Sequence, residues 1–335
     1  MPDQRPPTQR DIARAAGVCA MTVSRALRND SHISRPEVLR IRKLAARMGY
    51  ALNPYLSSWM RNVRRRQPVH ERETIACIRP SSRENVTSRM IMEGAARFAG
   101  GTGYRVESFA LDNYPDPRVL FRILRHRGIR GIIIAALNTP LPDDFWQHSV
   151  VWVHTPRDYP QADFVDHDYY EGMMIALEKL TAYGYRRIAY WSIMVIEPHQ
   201  RWDAAYLQYQ SRIPRERRLP IFRNFREFSF GEMDHWLKTY RPDAVVCAEH
   251  HFFQSDFPRR IKEVAWANLG VDSDPIFAGI DQHLELVGEN AARMVTRKME
   301  LNEIGPSAQP RTITVHPTWR DGPSAPPLKT SRCSR

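Results

Sequence analysis

At 335 residues with 42% hydrophobic side chains, the chain is long enough for two or three domains with ordinary buried cores, and no run of roughly 18 apolar residues spans a membrane. The formal net charge of +12 is segregated: residues 1–70 hold fourteen Arg and Lys against four Asp and Glu, and the remainder is close to neutral, which points to a polyanionic partner for one small module. Cys19, Cys77, Cys247 and Cys333 form no CxxC pair, which argues against a zinc ribbon or a disulfide framework, and the N-terminus MPDQRPPTQR lacks the apolar stretch of a secretory signal, so a cytoplasmic location is expected.

The first patterned stretch, IARAAGVCAMTVSRALR over 12–28, reads as two short helices joined at Gly17, where a tight turn suits a residue without a Cβ. Thr8 can cap the first helix, with Asp11 favourably placed in its first turn. In the second helix Val23 and Leu27 face inward, while Met21, Ser24, Arg25 and Arg28 repeat on the opposite side. Ser34 and Pro36 then open a third helix with Val38, Ile41, Leu44, Ala45 and Met48 on one face, stopped at Gly49.

The continuous segment RDIARAAGVCAMTVSRALRNDSHISRPEVLRIRKLAARMGYALNP resembles the N-terminal domain of LacI/GalR-family transcriptional repressors, through its A-G-V turn, T-V-S-R run and G-Y-x-x-N exit. The resemblance implies that Ala20, Met21 and Arg25 face the major groove, with Arg25 able to donate two hydrogen bonds to a guanine edge. Met21 would touch thymine methyls or else serve as a partly buried filler. Thr22, Ser24, Asn29 and His32 would contact phosphates or orient the helix, and Thr8 and Arg28 are nominated with them as DNA-binding residues. In NPYLSSWMRNVRRRQP, Asn53 and Pro54 can start a short helix that resembles the family's hinge helix. The family places a small apolar wedge in the minor groove, and here Trp59 stands at that position, flanked by Leu56 and Met60 as alternative wedges. Arg61, Arg64, Arg65 and Arg66 would hold phosphates or form a solvated basic linker.

From Thr74 short apolar runs alternate with helical patterns, the signature of mostly parallel sheets covered by helices. Strands are expected at 75–79, 105–110, 131–136, 150–154, 187–192, 219–223, 244–248, 264–269, 277–280 and 311–315, and helices at 86–100, 118–127, 171–183, 200–212, 231–240 and 283–301. This pattern, with segments such as RPDAVVCAEHH and FAGIDQHLELVGENAARMV, resembles the family's effector core: an α/β, two-lobed, periplasmic-binding-protein-like fold that closes on a small molecule. The expected organisation is a helix-turn-helix domain at 1–52, a hinge helix and basic linker at 53–73, the effector-binding and dimerisation core at 74–320, and a Pro- and Ser-rich disordered tail at 321–335.

Ligands of open parallel sheets sit beyond the carboxyl ends of strands, which nominates Ser81, Ser82, Arg83, Asp166, Asp168, Arg201, Glu249 and Asp281 as effector contacts. Of these, Arg201 and Asp281 match the family pattern, and the rest compete with a reading as solvated loop groups or ion pairs. The Glu249-His250-His251 and Asp166-His167-Asp168 runs are not expected to hold a metal, because neighbours on a strand point to opposite faces. No cofactor is expected either, and with no GxSxG, Walker, HExxH or dinucleotide motif present, no catalytic residues are nominated.

The reading is a homodimeric, non-enzymatic regulator, a repressor, that binds a pseudo-palindromic double-stranded operator and responds to a sugar or related metabolite. The alternatives are an effector-independent dimeric DNA-binding regulator and a sugar-modifying domain fused to a DNA-binding head.

Overall fold

The computed structural model describes residues 8–27, 32–48, 73–83, 86–135, 140–154, 158–192, 200–223, 230–247, 263–270 and 277–328. The chain divides into two units. The first comprises 1–153, 158–163 and 288–311, and the second 154–157, 164–287 and 312–335.

The first unit opens with helices α1 (Gln9–Ala16), α2 (Ala20–Leu27) and α3 (Arg35–Arg47). Ile12, Ala13, Ala16, Val23, Ala26, Leu27, Val38, Ile41 and Ala45 bury together as their common core, with Val18, Ile33, Leu44 and Met48 partly buried around it. Fewer than fifty residues build this core, so each helix end needs its own stabilisation.

The same unit contains β1 (Glu73–Arg79), α4 (Val86–Thr102), β2 (Tyr104–Ala110), α5 (Pro117–His126), β3 (Gly131–Ala135) and β4 (Ser149–Val153). β1 pairs in parallel with both β2 and β3, and β3 pairs in parallel with β4. All five residues of β3 and of β4 are buried, as expected of parallel strands covered on both faces. Asp116 caps α5 by accepting from the Arg118 amide at 2.9 Å, and Pro117 begins the helix with φ already set.

The second unit holds β5 (Phe164–His167), α6 (Tyr169–Ala182), β6 (Ile188–Ser192), α7 (Gln200–Arg212), β7 (Phe222–Arg223), α8 (Phe230–Tyr240), β8 (Ala244–Cys247), β9 (Ala265–Asn268) and β10 (Ala278–Asp281). Helix α9 (Leu284–Leu301) begins in it and ends in the first unit, and β11 (Thr312–Val315) and β12 (Thr318–Arg320) return to it. Its main sheet has the order β7-β6-β8-β9-β10-β12, parallel except for antiparallel β12, and β5 pairs in parallel with β11. Tyr206 fixes α7 against this sheet, its buried hydroxyl donating to the carbonyls of Ile188 and Leu219 at 3.1 and 3.3 Å. In the first unit α9 lies close to α4, and a Cβ on Gly288 would fall 1.9 Å from the Ile91 carbonyl oxygen.

Three sequence expectations need correction. Neither β5 nor β12 was anticipated, because three or four residues are too few for a periodic signal. Residues 321–328 are ordered: Ser324 Oγ donates to the Trp266 carbonyl at 2.6 Å and accepts from the Ala278 amide at 2.9 Å, and the Leu328 amide donates to the Tyr183 carbonyl at 2.8 Å. Composition suggested disorder, but these backbone partners and the buried Ala325 outweigh it. The rest of the tail, 329–335, lies outside the described residues.

A buried ion cluster sits where the chain leaves the first unit. Asp163 accepts from the Arg311 amide at 2.7 Å, from Arg311 Nη2 at 2.9 Å and from the ammonium of Lys298, which is 3% exposed. Burial opposes the Asp163 charge, but its hydrogen bonds from Arg311 and Lys298 outweigh that and hold the carboxyl below its ordinary value. Breaking one partner of such a buried pair strands the other, so Lys298→Met is expected to cost about 3 kcal/mol in urea unfolding at neutral pH. Because the folded-state value is depressed, the Asp163 contribution is full above the unfolded value of ~3.9 and is lost as pH falls through the folded one. The gap between wild type and Lys298→Met should therefore shrink in acid, and a gap independent of pH would refute this assignment.

Candidate nucleic-acid interface and effector residues

In the basic module the sequence specifies each helix end. Thr8 and Asp11 form a reciprocal capping box, with the Thr8 amide donating to Asp11 Oδ2 at 2.8 Å and the Asp11 amide to Thr8 Oγ1 at 3.3 Å. Gly17 ends α1 with φ 68, in the left-handed region, its amide returning to the Ala13 and Arg14 carbonyls. Two cations stay inside the module: Arg40 Nη2 donates to the Ala16 carbonyl at 2.9 Å and Arg42 Nη2 to the Leu27 carbonyl at 3.2 Å. They satisfy the last turns of α1 and α2, where the helix dipole favours positive charge. Ser34 precedes α3 as expected but makes no side-chain cap, and Glu37 pairs instead with Arg40 at 2.6 Å.

With Val23, Ala26 and Leu27 turned inward, α2 presents Ala20 and Met21 exposed and Thr22, Ser24 and Arg25 partly exposed. Met21 is 61% exposed, which excludes the filler reading. His32 is exposed beyond α2 and Thr8 is half-buried before α1. Arg28 and Asn29, and the hinge candidates Asn53, Leu56, Trp59 and Met60, lie outside the described residues.

The effector candidates are less uniform. In the first unit Asp112 gathers the loop after β1, accepting from the Ser82 amide at 2.8 Å and from the Ser81 and Ser82 hydroxyls at 2.9 Å each, while Arg83 is exposed. The Ser82 amide bond, helped by the two hydroxyls, holds the Asp112 carboxyl below its ordinary value. Ser81 and Ser82 thus shape the loop. In the second unit Arg201 stands in the first turn of α7, half-buried, with no hydrogen bond or ion pair to any of the described residues. Asp281 ends β10 and accepts from the His283 amide at 2.8 Å. Asp168 is occupied as the cap of α6, accepting from the Glu171 amide at 2.9 Å. Glu249, like His250 and His251, lies outside the described residues.

Asp166 departs furthest from expectation. It is 1% exposed, and its Oδ1 lies 2.9 Å from His154 Nδ1 and 3.4 Å from His167 Nδ1. Strand alternation was expected to keep Asp166 and His167 apart, yet at the end of β5 both converge with His154, and one ligand atom from each lies within 4.8 Å of the others. Burial disfavours the Asp166 charge, but the His154 charge and hydrogen bond, with His167, hold its carboxyl below the ordinary value.

Residues 8–53 match the bacterial regulatory proteins of the lacI family. This segment is a lacI-family domain. No curated protein matches the chain as a whole. Solved structures share its fold: a transcriptional regulator CelR–cellobiose complex at 18% identity and TM-score 0.57, covering 95% of this chain and 99% of that one. A lac repressor dimer bound to operator and the anti-inducer ONPF aligns at 16% identity and TM-score 0.58, over 96% and 99% of the two chains. The trehalose repressor from Escherichia coli aligns at 14% identity and TM-score 0.58, over 75% of this chain and all of that one.

Beside the lacI-family head's nominated face, sequence reasoning passed over Cys19, exposed one residue before α2. Its Sγ lies 3.1 Å from Thr22 Oγ1, and hydrogen bonds from the Thr22 hydroxyl and then the Thr22 amide hold the thiol below its ordinary value. Also missed was a polar chain at the strand ends of the second unit, where Ser192 Oγ donates to Asp203 Oδ1 at 3.0 Å and Arg223 Nη2 to Asp203 Oδ2 at 2.6 Å. No local motif announces either. In the lacI-family head, Thr8→Ala removes the hydroxyl half of the capping box, leaving the Asp11 amide without its cap, and is expected to cost about 1 kcal/mol. A calorimetric transition for residues 8–53 unchanged by this substitution would show that the box is dispensable.

Proposed function

We propose that the protein is a sequence-specific DNA-binding transcriptional regulator, a homodimeric repressor acting in the cytoplasm, whose operator affinity is set by a small-molecule effector of the carbohydrate class. The observation that carries the reading is the exposed face of α2, with Met21, Ser24 and Arg25 presented outward from a lacI-family helix-turn-helix. Segregated positive charge supplies affinity for phosphates without regard to sequence, and Arg25 supplies base discrimination through its planar donors. Two-fold pairing doubles the few contacts that one such head can make. Within the second unit, Arg201 and Asp281 are the nominated effector contacts, since both lie at the carboxyl-end side of its parallel strands and Arg201 has no other duty among the described residues. The absence of a nucleophile and base motif supports a regulator over an enzyme.

Selection of genomic fragments by the full-length protein tests the core of the proposal and should return a pseudo-palindromic site. On that site Arg25→Ala is expected to lose about 1–3 kcal/mol and to relax preference at one base pair. Fluorescence anisotropy that shows equal losses on operator and random DNA would reassign Arg25 to phosphate contact. Arg201→Ala should abolish the thermal shift produced by whichever sugar alters operator binding, while leaving operator affinity without sugar intact. If no sugar or related metabolite changes stability or affinity, regulation is effector-independent.

A further inference from the structure

The convergence of His154, Asp166 and His167 lies outside the helix-turn-helix, and of the three only Asp166 was nominated as an effector contact. All three belong to the second unit, His154 directly after β4 and the other two at the end of β5. Asp166 Oδ1 is shared, 2.9 Å from one imidazole nitrogen and 3.4 Å from the other. These two separations bracket the edge of about 3.3 Å that tetrahedral bonds of ~2.0–2.1 Å require, and all three ligand atoms lie within 4.8 Å of one another, so the two imidazoles close in on the ion as it binds. The two imidazole rings are nearly perpendicular, at 87° with centroids 6.0 Å apart, so their lone pairs can approach a common point from different directions.

The surroundings match those of an oriented ligand set. Asp166 Oδ1 also accepts the His167 amide at 2.9 Å, which fixes the carboxylate. Tyr169 brings its hydroxyl to 3.1 Å from His154 Nδ1, and its ring centroid lies 3.9 Å from that of His167, tilted by 39°, and 4.9 Å from that of the buried Trp202, edge-on. His154 adopts φ 69, a left-handed conformation uncommon outside glycine and of the kind that marks functional positions. Asp166 and His167 are 1% and 3% exposed. Two imidazoles and one carboxylate suit zinc and its neighbours among the divalent transition metals rather than calcium or magnesium, which prefer oxygen ligands.

We infer that His154, Asp166 and His167 form a binding site for one divalent transition-metal ion of the zinc class, with a further oxygen ligand completing the shell. Binding displaces any proton held between His154 and Asp166 and exchanges these hydrogen bonds for metal–ligand bonds, without redox change. An ion there would tie His154 to the end of β5, two segments of the second unit that follow the chain's passages out of the first unit at 153–154 and 163–164. The site is independent of DNA binding, so its failure would leave the proposed regulator untouched.

The test uses the full chain, freed of any tag and treated with chelator, titrated with zinc by calorimetry and with cobalt by visible absorption. The expected result is saturation at one ion per chain, and for cobalt the intense absorption of a tetrahedral site. Affinity should fall at least about tenfold in His154→Gln and in His167→Gln, and should hold in His126→Gln, a helix-end histidine in the first unit. Since His167 is buried and its variant can misfold, zinc-edge X-ray absorption of the wild-type protein supplies a readout that needs no variant. Two imidazoles with oxygen completing the shell supports the site. Absence of saturable binding, sulfur in the shell, a different imidazole count, or unchanged affinity in folded His154→Gln would each overturn it.

Discussion

A carboxylate with no exposed side-chain surface, held by a buried lysine and an arginine, is the constraint on which the first unit depends. Asp163 is the last residue of its segment before the chain passes to the second unit, and Arg311 holds the same place on a later passage. Lys298 reaches Asp163 from the last part of α9, and Arg311 also binds Glu303 at 2.6 Å. Buried ions are costly to desolvate, so the three groups are stable only in this mutual geometry. That requirement makes the cluster specific: Asp163, the last part of α9 and Arg311 must be in place together before the charges can be satisfied. A well-packed apolar trio would stabilise as well, but without directional hydrogen bonds it would define the exit points less sharply.

The lacI-family head solves a different problem. Its core is small, and its cations serve two purposes that composition does not separate. Arg40 and Arg42 close the ends of α1 and α2, whereas Arg25 stands on the outward face of α2. Internal capping by arginine keeps helices of eight residues in place at a size where propensity alone would leave them marginal. The proposed DNA reading therefore rests on the packing of Val23 and Leu27, which fixes what the opposite face presents.

In the second unit the parallel strands end in a row of polar groups that are already partly engaged. Asp203 takes Ser192 and Arg223, Asp168 is a helix cap, and Asp281 bonds the His283 amide. Carboxylates read from sequence as ligand contacts often have such structural duties, because a strand-to-helix connection needs a capping group at the place where a ligand would sit. Arg201 stands out for being uncommitted among the described residues, and the Asp166 cluster for being more buried than a solvated ligand contact would be.

Much of this was legible in the sequence where the determining interactions are local. The capping box at Thr8, the left-handed stop at Gly17, the α7 span from Gln200 to Arg212 and the buried runs of β3 and β4 all follow from neighbours within a few positions, and the segregated charge required only counting. Short β5 and β12 escaped because strand pairing, not periodicity, makes them strands, and the tail through Leu328 is ordered by partners as distant as Tyr183 and Trp266. Strand alternation did not anticipate the closeness of Asp166 and His167, because Asp166 Oδ1 turns along the backbone to accept the His167 amide and so comes to 3.4 Å from the His167 ring. By itself, then, the sequence determined the helix-turn-helix, its outward face and the α/β character of the rest, since caps, turns and hydrophobic period act at short range. Only the tertiary structure decided that Lys298 meets Asp163 and that His154 meets Asp166, because contacts between remote positions leave no pattern in a single chain.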